Sequence, residues 1–142
     1  MNWLPRKTIV VPIDFSDNSF RALDTSLELV DDPRHLHVIH VLPIITPNEP
    51  GVIWEMIDDQ SRITHASDAL KNKLTARKAD GSQIIIRFGD PGHQIVDYAQ
   101  EIHADLIVIS SRGQTGLTRL LMGSVAEKVV RLAHCPVLVL KK

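Results

Sequence analysis

The chain has 142 residues and one cysteine; 44% of the residues are hydrophobic, 23% charged and 4% aromatic, and the formal net charge is −1. These values predict a single soluble globular domain, residues 1–142, without the basic surface or aromatic platform that nucleic acid needs and without charge attraction to an acidic membrane. No apolar run approaches the roughly 20 residues that cross a bilayer, the N-terminus lacks a signal-peptide pattern, and Cys135 has no partner for an internal disulfide, so we expect a cytoplasmic protein.

The first half of the chain predicts two strands that alternate with two helices. The strands are expected at Thr8–Ile13 and His35–Leu42, and the helical spacings run over Ala22–Val30 and from Ile53 to about Lys78. The polar run SDNS at 16–19 offers N-cap side chains for the first helix. Pro12 removes a ladder donor within the first strand, so it marks a strand end or a bulge near a site, or the strand simply ends early.

The second half continues the same alternation. Strands are expected at Gln83–Phe88, Asp105–Ser110 and Pro136–Leu140, with helices around Ile95–Ile102 and Val125–Ala133. Strict strand–helix alternation predicts an α/β fold in which a mostly parallel sheet is covered by helices on both faces. The first and fourth strands are the most uniformly apolar, as expected of central strands that are buried on both sides.

The stretch between the fourth strand and the last helix is rich in glycine and hydroxyl groups. In an open parallel sheet, ligands bind beyond the carboxyl ends of the strands, where the strand order reverses. Gly113 and Gly123 permit a close backbone approach, and Ser124 is expected to cap the last helix, whose first N–H groups can receive an anion. The chain has neither a Walker pattern nor GxGxxG, and helix caps and turns use the same residues. A phosphate cradle and an ordinary loop therefore both stay open on these residues.

Several segments together carry a resemblance to a known family. They are VPIDFSDNS at 11–19, HVIHVLP at 37–43, FGDPGHQIV at 88–96, and Gly113-x9-Gly123-Ser124 followed by VAEKVV and CPVLVL. Over essentially its whole length the chain resembles the universal stress protein (UspA) superfamily, whose nucleotide-binding members carry Gly-x2-Gly-x9-Gly-(Ser/Thr) after the fourth strand. Two positions depart from that pattern, because Ser110 replaces the first glycine and Arg112 stands where many members have histidine.

The resemblance implies a single universal stress protein domain with a Rossmann-like, doubly wound sheet of five parallel strands in the order 3-2-1-4-5. It also implies ATP between the loops after strands one and four, with Mg²⁺ or Mn²⁺ held through the phosphates. The adenine slot would be lined by Pro12, Ile13 and Val41, and Asp14 would contact the ribose. The phosphates would be surrounded by Ser110, Ser111, Arg112, Gly113, Gly123, Ser124 and Val125.

Simpler interpretations of some of these residues also stand. Asp14 can instead cap the first helix, Arg112 can be an exposed arginine, and Val41 can be an ordinary core residue. His35 and His37 share one face of the second strand and His40 lies on the other, so a metal site there is not expected.

Three functions compete on this framework. The first is a stress-response regulator that binds ATP and forms a homodimer through its last strand, as the resemblance implies; no general base or arginine finger is evident, so dedicated catalysis is not expected. The second is a nucleotide-independent UspA-type protein that acts through its dimer surface. The third is an adenylating enzyme of the ATP-pyrophosphatase type, whose Ser-Gly-Gly-rich loop after the first strand is missing here.

Overall fold

Strands and helices alternate along the chain in the predicted order. The computed structural model describes residues 3–45, 58–112 and 122–141. A short 3-10 turn at Pro33–His35 precedes the second strand. The strands are β1 (Ile9–Pro12), β2 (Leu36–Leu42), β3 (Gln83–Phe88), β4 (Leu106–Ser110) and β5 (Val137–Leu140), and the helices are α1 (Asp17–Leu29), α2 (Asp59–Ala76), α3 (Pro91–Glu101) and α4 (Ser124–Leu132).

All five strands form one parallel sheet in the order β3-β2-β1-β4-β5, which confirms the predicted topology. The strand order reverses between β1 and β4, where Ile9 pairs with Leu106 and Val10 with Ile107. Both strands are buried almost throughout, as the apolar patterns predict. The carboxyl ends of β1 and β4 therefore lie side by side at the switch point of the sheet.

The sheet separates two hydrophobic cores, which confirms helices on both faces. On one face Leu23 of α1 and Leu70 of α2 pack against strand residues that include Val11 and Val38. On the other face Ile95 of α3 and Val129 of α4 pack against residues that include Val10. Alternate residues of β1 thus enter opposite cores, as the twofold repeat of a strand requires. Within the described ranges, no helix is long and apolar enough to cross a membrane.

Polar side chains cap the N-termini of three helices. Ser16 caps α1 by accepting from Ser19 N (3.2 Å), and Asp90 caps α3 by accepting from His93 N (3.1 Å). Asp58 caps α2 by accepting from Gln60 N (3.1 Å), so it belongs to the start of that helix.

Most strand boundaries differ from the prediction by one residue, and two differences are informative. The part of the second predicted helix that contains Ile53 and Ile57 lies outside the described residues, and α2 ends at Ala76, because Lys78 adopts a left-handed backbone (φ 56°) that a helix cannot continue. β1 stops at Pro12, so the proline marks a strand end, although Ile13 N still donates to Ile39 O (2.8 Å).

Candidate functional site

A cleft opens at the carboxyl ends of β1 and β4, at the point where the strand order reverses. Its volume of about 250 Å³ lies near the lower end of the roughly 300–1,000 Å³ typical of small-molecule sites. Helices α3 and α4 complete its walls through Pro91, Ile95 and Ala126. Nine of the residues singled out in the sequence line it: Pro12, Ile13, Asp14, Val41, Ser110, Ser111, Gly123, Ser124 and Val125.

Two residues of the predicted set, Arg112 and Gly113, remain. Gly113 lies outside the described residues. Arg112 is half-buried beside the loop end, and its Cα is 3.9 Å from the place where a Cβ on Gly123 would stand. It makes an interaction in this position. The structure does not bring Arg112 into the wall of the cleft.

Asp14 stands at the β1 end of the cleft with its carboxylate held in place. Its Oδ1 accepts hydrogen bonds from Ser16 N (3.0 Å) and from the Ser16 hydroxyl. Because Ser16 is the N-cap of α1, the alternative in which Asp14 caps this helix is wrong. Asp14 instead orients the capping serine and lines the cleft. A fixed carboxylate at this place can accept hydrogen bonds from the hydroxyl groups of a ligand.

The residue between Asp14 and Ser16 has an unusual backbone. Phe15 has φ 67°, in the left-handed region that phenylalanine rarely adopts. Its ring packs edge-on against Phe20 (6.0 Å between centroids) and His40 (4.8 Å), and these contacts hold the conformation. Backbone strain of this kind concentrates at functional sites and costs on the order of 1–3 kcal/mol. The turn that presents Asp14 to the cleft is therefore maintained by packing.

His40 fixes the same end of the cleft from the neighbouring strand. Its Nδ1 lies 2.6 Å from Ile13 O, and a carbonyl can only accept, so Nδ1 carries the proton of this hydrogen bond. His40 also lines the cleft. From the sequence, His40 was weighed only as a metal ligand, a role that was not expected; its position near the carboxyl end of the second strand was the signal that could have placed it here.

The β4 end of the cleft is held by a run of hydrogen bonds. The Ser110 hydroxyl donates to Arg112 O (2.8 Å), and Ser111 N donates to Leu140 O (2.8 Å) at the end of β5. Ser111 is 7% exposed, and its carbonyl accepts from Gly123 N at 2.6 Å. This last bond joins the chain that leaves β4 to the chain that enters α4.

Gly123 and not Ser124 is the N-cap of α4, which corrects the prediction. The backbone of Gly123 is extended (φ −61°, ψ 162°), and its carbonyl accepts the first helical hydrogen bond, from Glu127 N (3.0 Å). Ser124 is already helical, so its hydroxyl is one residue too late to cap. A Cβ at Gly123 would stand 3.3 Å from Ser111 O, which explains glycine at this close approach.

The start of α4 has the features of an anion site. No side chain caps it within the part of the chain that the structure describes. The N–H groups of the first helical turn have no acceptor inside a helix, and the helix dipole is positive at this end. Ser124, Val125 and Ala126 of this turn line the cleft. The arrangement matches the helix termini that bind phosphate groups.

An ion pair ties the two helices that wall the cleft. Asp90 Oδ2 accepts from Lys128 Nζ (3.1 Å) of α4 and lies 2.8 Å from His93 Nδ1. The His93 backbone N–H and then the Lys128 ammonium hold the pKa of the Asp90 carboxyl at about 2. The Lys128 side chain crosses Gly92 so closely that a Cβ there would stand 2.5 Å from Lys128 Cδ. Helices α3 and α4 therefore approach each other at the edge of the cleft.

The histidines of the second strand are used for packing and hydrogen bonds. His37 Nδ1 lies 2.8 Å from the hydroxyl of Tyr98, a residue of α3. Burial lowers the pKa of His37, and the nearby His35 lowers it further. His35 pairs with Asp31 at 3.0 Å. Among the described residues, no group of three or more His, Cys, Asp or Glu side chains is placed to hold a metal ion.

Burial raises the pKa of the half-buried Cys135 thiol, as it does for an unreactive cysteine.

Comparisons with known proteins agree with this architecture. The universal stress protein family matches residues 5–141 of the chain. The chain is 37% identical to universal stress protein MJ0531 of Methanocaldococcus jannaschii, over an alignment that covers 96% of this chain and 82% of the relative.

Solved structures show the same fold. The universal stress protein UspA from Lactobacillus plantarum superposes with a TM-score of 0.74 at 29% identity, over 95% of this chain and 98% of that one. A universal stress protein solved in complex with cAMP shares the fold at 24% identity and a TM-score of 0.61, over 96% of this chain and 98% of that one. With its sheet order, its cleft at the switch point and its match over nearly the whole sequence, the chain belongs to the universal stress protein family.

Proposed function

We propose that this protein is a regulator that binds an adenine nucleotide, ATP in the first place, in the cleft between β1 and β4. One observation carries the proposal: the carboxylate of Asp14 and the start of α4 face the same cleft at the switch point of the sheet. An acceptor for hydroxyl groups and a donor array for phosphate oxygens thus stand at two ends of one site.

The residues of the cleft divide by their chemistry. Apolar groups of Pro12, Ile13 and Val41 suit the adenine ring, and Asp14 suits the ribose hydroxyls. The phosphates would lie against Ser110, Ser111, Gly123, Ser124 and Val125, joined by Arg112 and Gly113 of the connecting loop. A Mg²⁺ or Mn²⁺ ion would be carried by the phosphate oxygens and would neutralise part of their charge.

Occupancy of the cleft would be the regulatory variable. The cleft walls contain no pair of side chains placed as general base and arginine finger within the described residues, so we propose slow or no hydrolysis.

We further propose that residues 1–142 form one cytoplasmic domain and that β5, an edge strand, pairs with its copy in a homodimer. Light scattering that gives a mass of 15.9 kDa, that of one chain, would exclude the dimer.

A second candidate has one observation in its favour. The β4 end of the cleft is held together by hydrogen bonds within the protein: Ser110 to Arg112, Ser111 to Leu140 and Gly123 to Ser111. These bonds hold the described ends of the loop without a ligand, so the protein can act through its dimer surface alone. Absence of binding to any adenine nucleotide would favour this candidate.

A charge placed at the start of α4 tests the leading proposal. Ser124→Glu adds a negative charge where the helix dipole stabilises it, so the fold is retained while the phosphates are repelled. Gln60→Glu adds the same charge in the first turn of α2, at a residue that does not line the cleft, and is the matched control. Titration calorimetry should show ATP binding by the wild type and by Gln60→Glu, and at least about tenfold weaker binding by Ser124→Glu.

The result would contradict the proposal in either of two cases. One is a wild type that takes up no ATP in the presence of magnesium. The other is a Ser124→Glu variant that binds ATP as tightly as Gln60→Glu, because the start of α4 would then not face the phosphates. Melting temperatures of both variants, at or above that of the wild type, would show that the fold is intact.

A further inference from the structure

The Ser110 side chain makes a hydrogen bond whose place in the cleft gives it a specific role. Ser110 is the last residue of β4, and its backbone is fixed by pairing with Leu140. Its hydroxyl reaches forward by two residues and donates to Arg112 O at 2.8 Å. A serine hydroxyl has one proton to donate, so this bond uses it. The bond sets the direction in which the chain leaves the sheet.

The residue enclosed by this bond connects to the start of α4. Ser111 is held at its N–H by Leu140 O and at its carbonyl by Gly123 N, at 2.8 and 2.6 Å. Its side chain is buried. Any change in the turn from Ser110 to Arg112 therefore moves the carbonyl to which Gly123 is bound. Gly123 is the N-cap of α4, so the position of the first helical N–H groups follows from that bond.

We propose that Ser110 is a positioning residue for the anion end of the cleft: through the Ser110–Arg112 and Ser111–Gly123 hydrogen bonds it holds the start of α4 in place for phosphate. The proposal rests on the nucleotide-binding function above and deepens it. It assigns the Ser110 hydroxyl to the protein and not to the ligand, and it predicts that the side chain affects phosphate binding without affecting binding of the nucleoside.

Three variants separate this role from simple packing. Ser110→Ala removes the hydroxyl, and Ser110→Thr restores it; the added methyl group has room because Ser110 borders open space on both sides. Ser82→Ala is the matched control, since the Ser82 hydroxyl also donates to a main-chain carbonyl, Ala79 O, at 2.8 Å. Ser82 directly precedes β3, so it lies at the amino end of a strand, whereas the cleft lies at the carboxyl ends of the strands.

The first measurement needs no nucleotide. Hydrogen exchange of the Gly123 N–H is followed by NMR in the free protein. We expect the exchange rate to be about fivefold higher in Ser110→Ala than in Ser82→Ala or Ser110→Thr. This factor is the one expected from the loss of one neutral hydrogen bond. Equal exchange in all variants would overturn the proposal, whatever the protein binds.

The second measurement compares ATP with adenosine. Ser110→Ala should bind ATP about fivefold more weakly than the wild type, with adenosine affinity unchanged, and Ser110→Thr should recover ATP binding. Equal losses for ATP and adenosine, or no loss for either, would overturn the positioning role while leaving nucleotide binding intact. A wild type that binds neither compound would overturn the proposed function, and the positioning of phosphate with it.

Discussion

At the scale of single residues, the site consists of ordinary groups held in unusual places. Asp14 keeps its carboxylate at the cleft because Ser16 donates to it twice, and the strained Phe15 between them is held by packing. On the other side of the cleft, Gly123 lies close to Ser111. A Cβ at position 123 would stand only 3.3 Å from Ser111 O, and glycine avoids this close contact. Each of these groups is thus held in place by contacts with its neighbours in the protein.

Asp14 should contribute to ligand affinity through its charge. Asp14→Asn keeps an oxygen that accepts from Ser16 and removes the charge, so ATP affinity should fall about tenfold, as expected when a charged hydrogen bond becomes neutral. Titration calorimetry of this variant beside Asp17→Asn, a change to the acidic residue in the first turn of α1, measures the effect. Equal affinities of the two variants would exclude a contact between Asp14 and the ligand.

At the scale of elements, the cleft depends on how α3 and α4 meet. The Lys128 stem crosses α3 at Gly92, and its ammonium reaches the N-cap carboxylate of that helix. Both helices supply cleft walls, Pro91 and Ile95 from one and Val125 and Ala126 from the other. Their contact therefore contributes both to stability and to the width of the site.

The pH dependence of stability should show the Asp90 contact. The pKa of Asp90 is about 2 in the folded protein, below its value of about 3.8 in the unfolded chain, so its contribution is complete above about pH 5 and is lost progressively as pH falls through 2. Asp90→Asn keeps the cap and removes the charge. Because the pair is partly exposed, the difference from the wild type should be at most about 1 kcal/mol at pH 7.

Urea unfolding of the wild type and of Asp90→Asn between pH 7 and pH 2 measures this difference. The two free energies of unfolding should converge as the carboxyl is protonated. A difference that is the same at pH 7 and pH 2 would show that the charge on Asp90 is not its source.

At the scale of the whole molecule, the sequence pattern was sufficient for the parallel α/β class and for the two central strands. The apolar runs of β1 and β4 marked the centre of the sheet, and strict alternation with helices marked a parallel fold, because parallel strands need crossovers. The order of the strands, however, came from the family resemblance and not from periodicity, since alternation alone does not say which strands are neighbours.

The details that the sequence did not predict depend on single backbone angles or on distant contacts. Ser16, Asp58 and Gly123 cap helices that offered several possible caps, and the choice is made by which residue is extended in the fold. The bond from His40 to Ile13 joins residues 27 positions apart on neighbouring strands. Such a contact follows from strand pairing, which a local pattern does not contain.

The most direct test of the central claim is the nucleotide content of the freshly purified protein. Mass spectrometry of the small molecules released by denaturation should find ATP or ADP from the wild type at close to one per chain, and almost none from folded Ser124→Glu. No adenine nucleotide from the wild type, with none taken up after incubation in millimolar ATP and magnesium, would contradict the account. The cleft at β1 and β4 would then be structural, and the function would lie on the surface of the molecule.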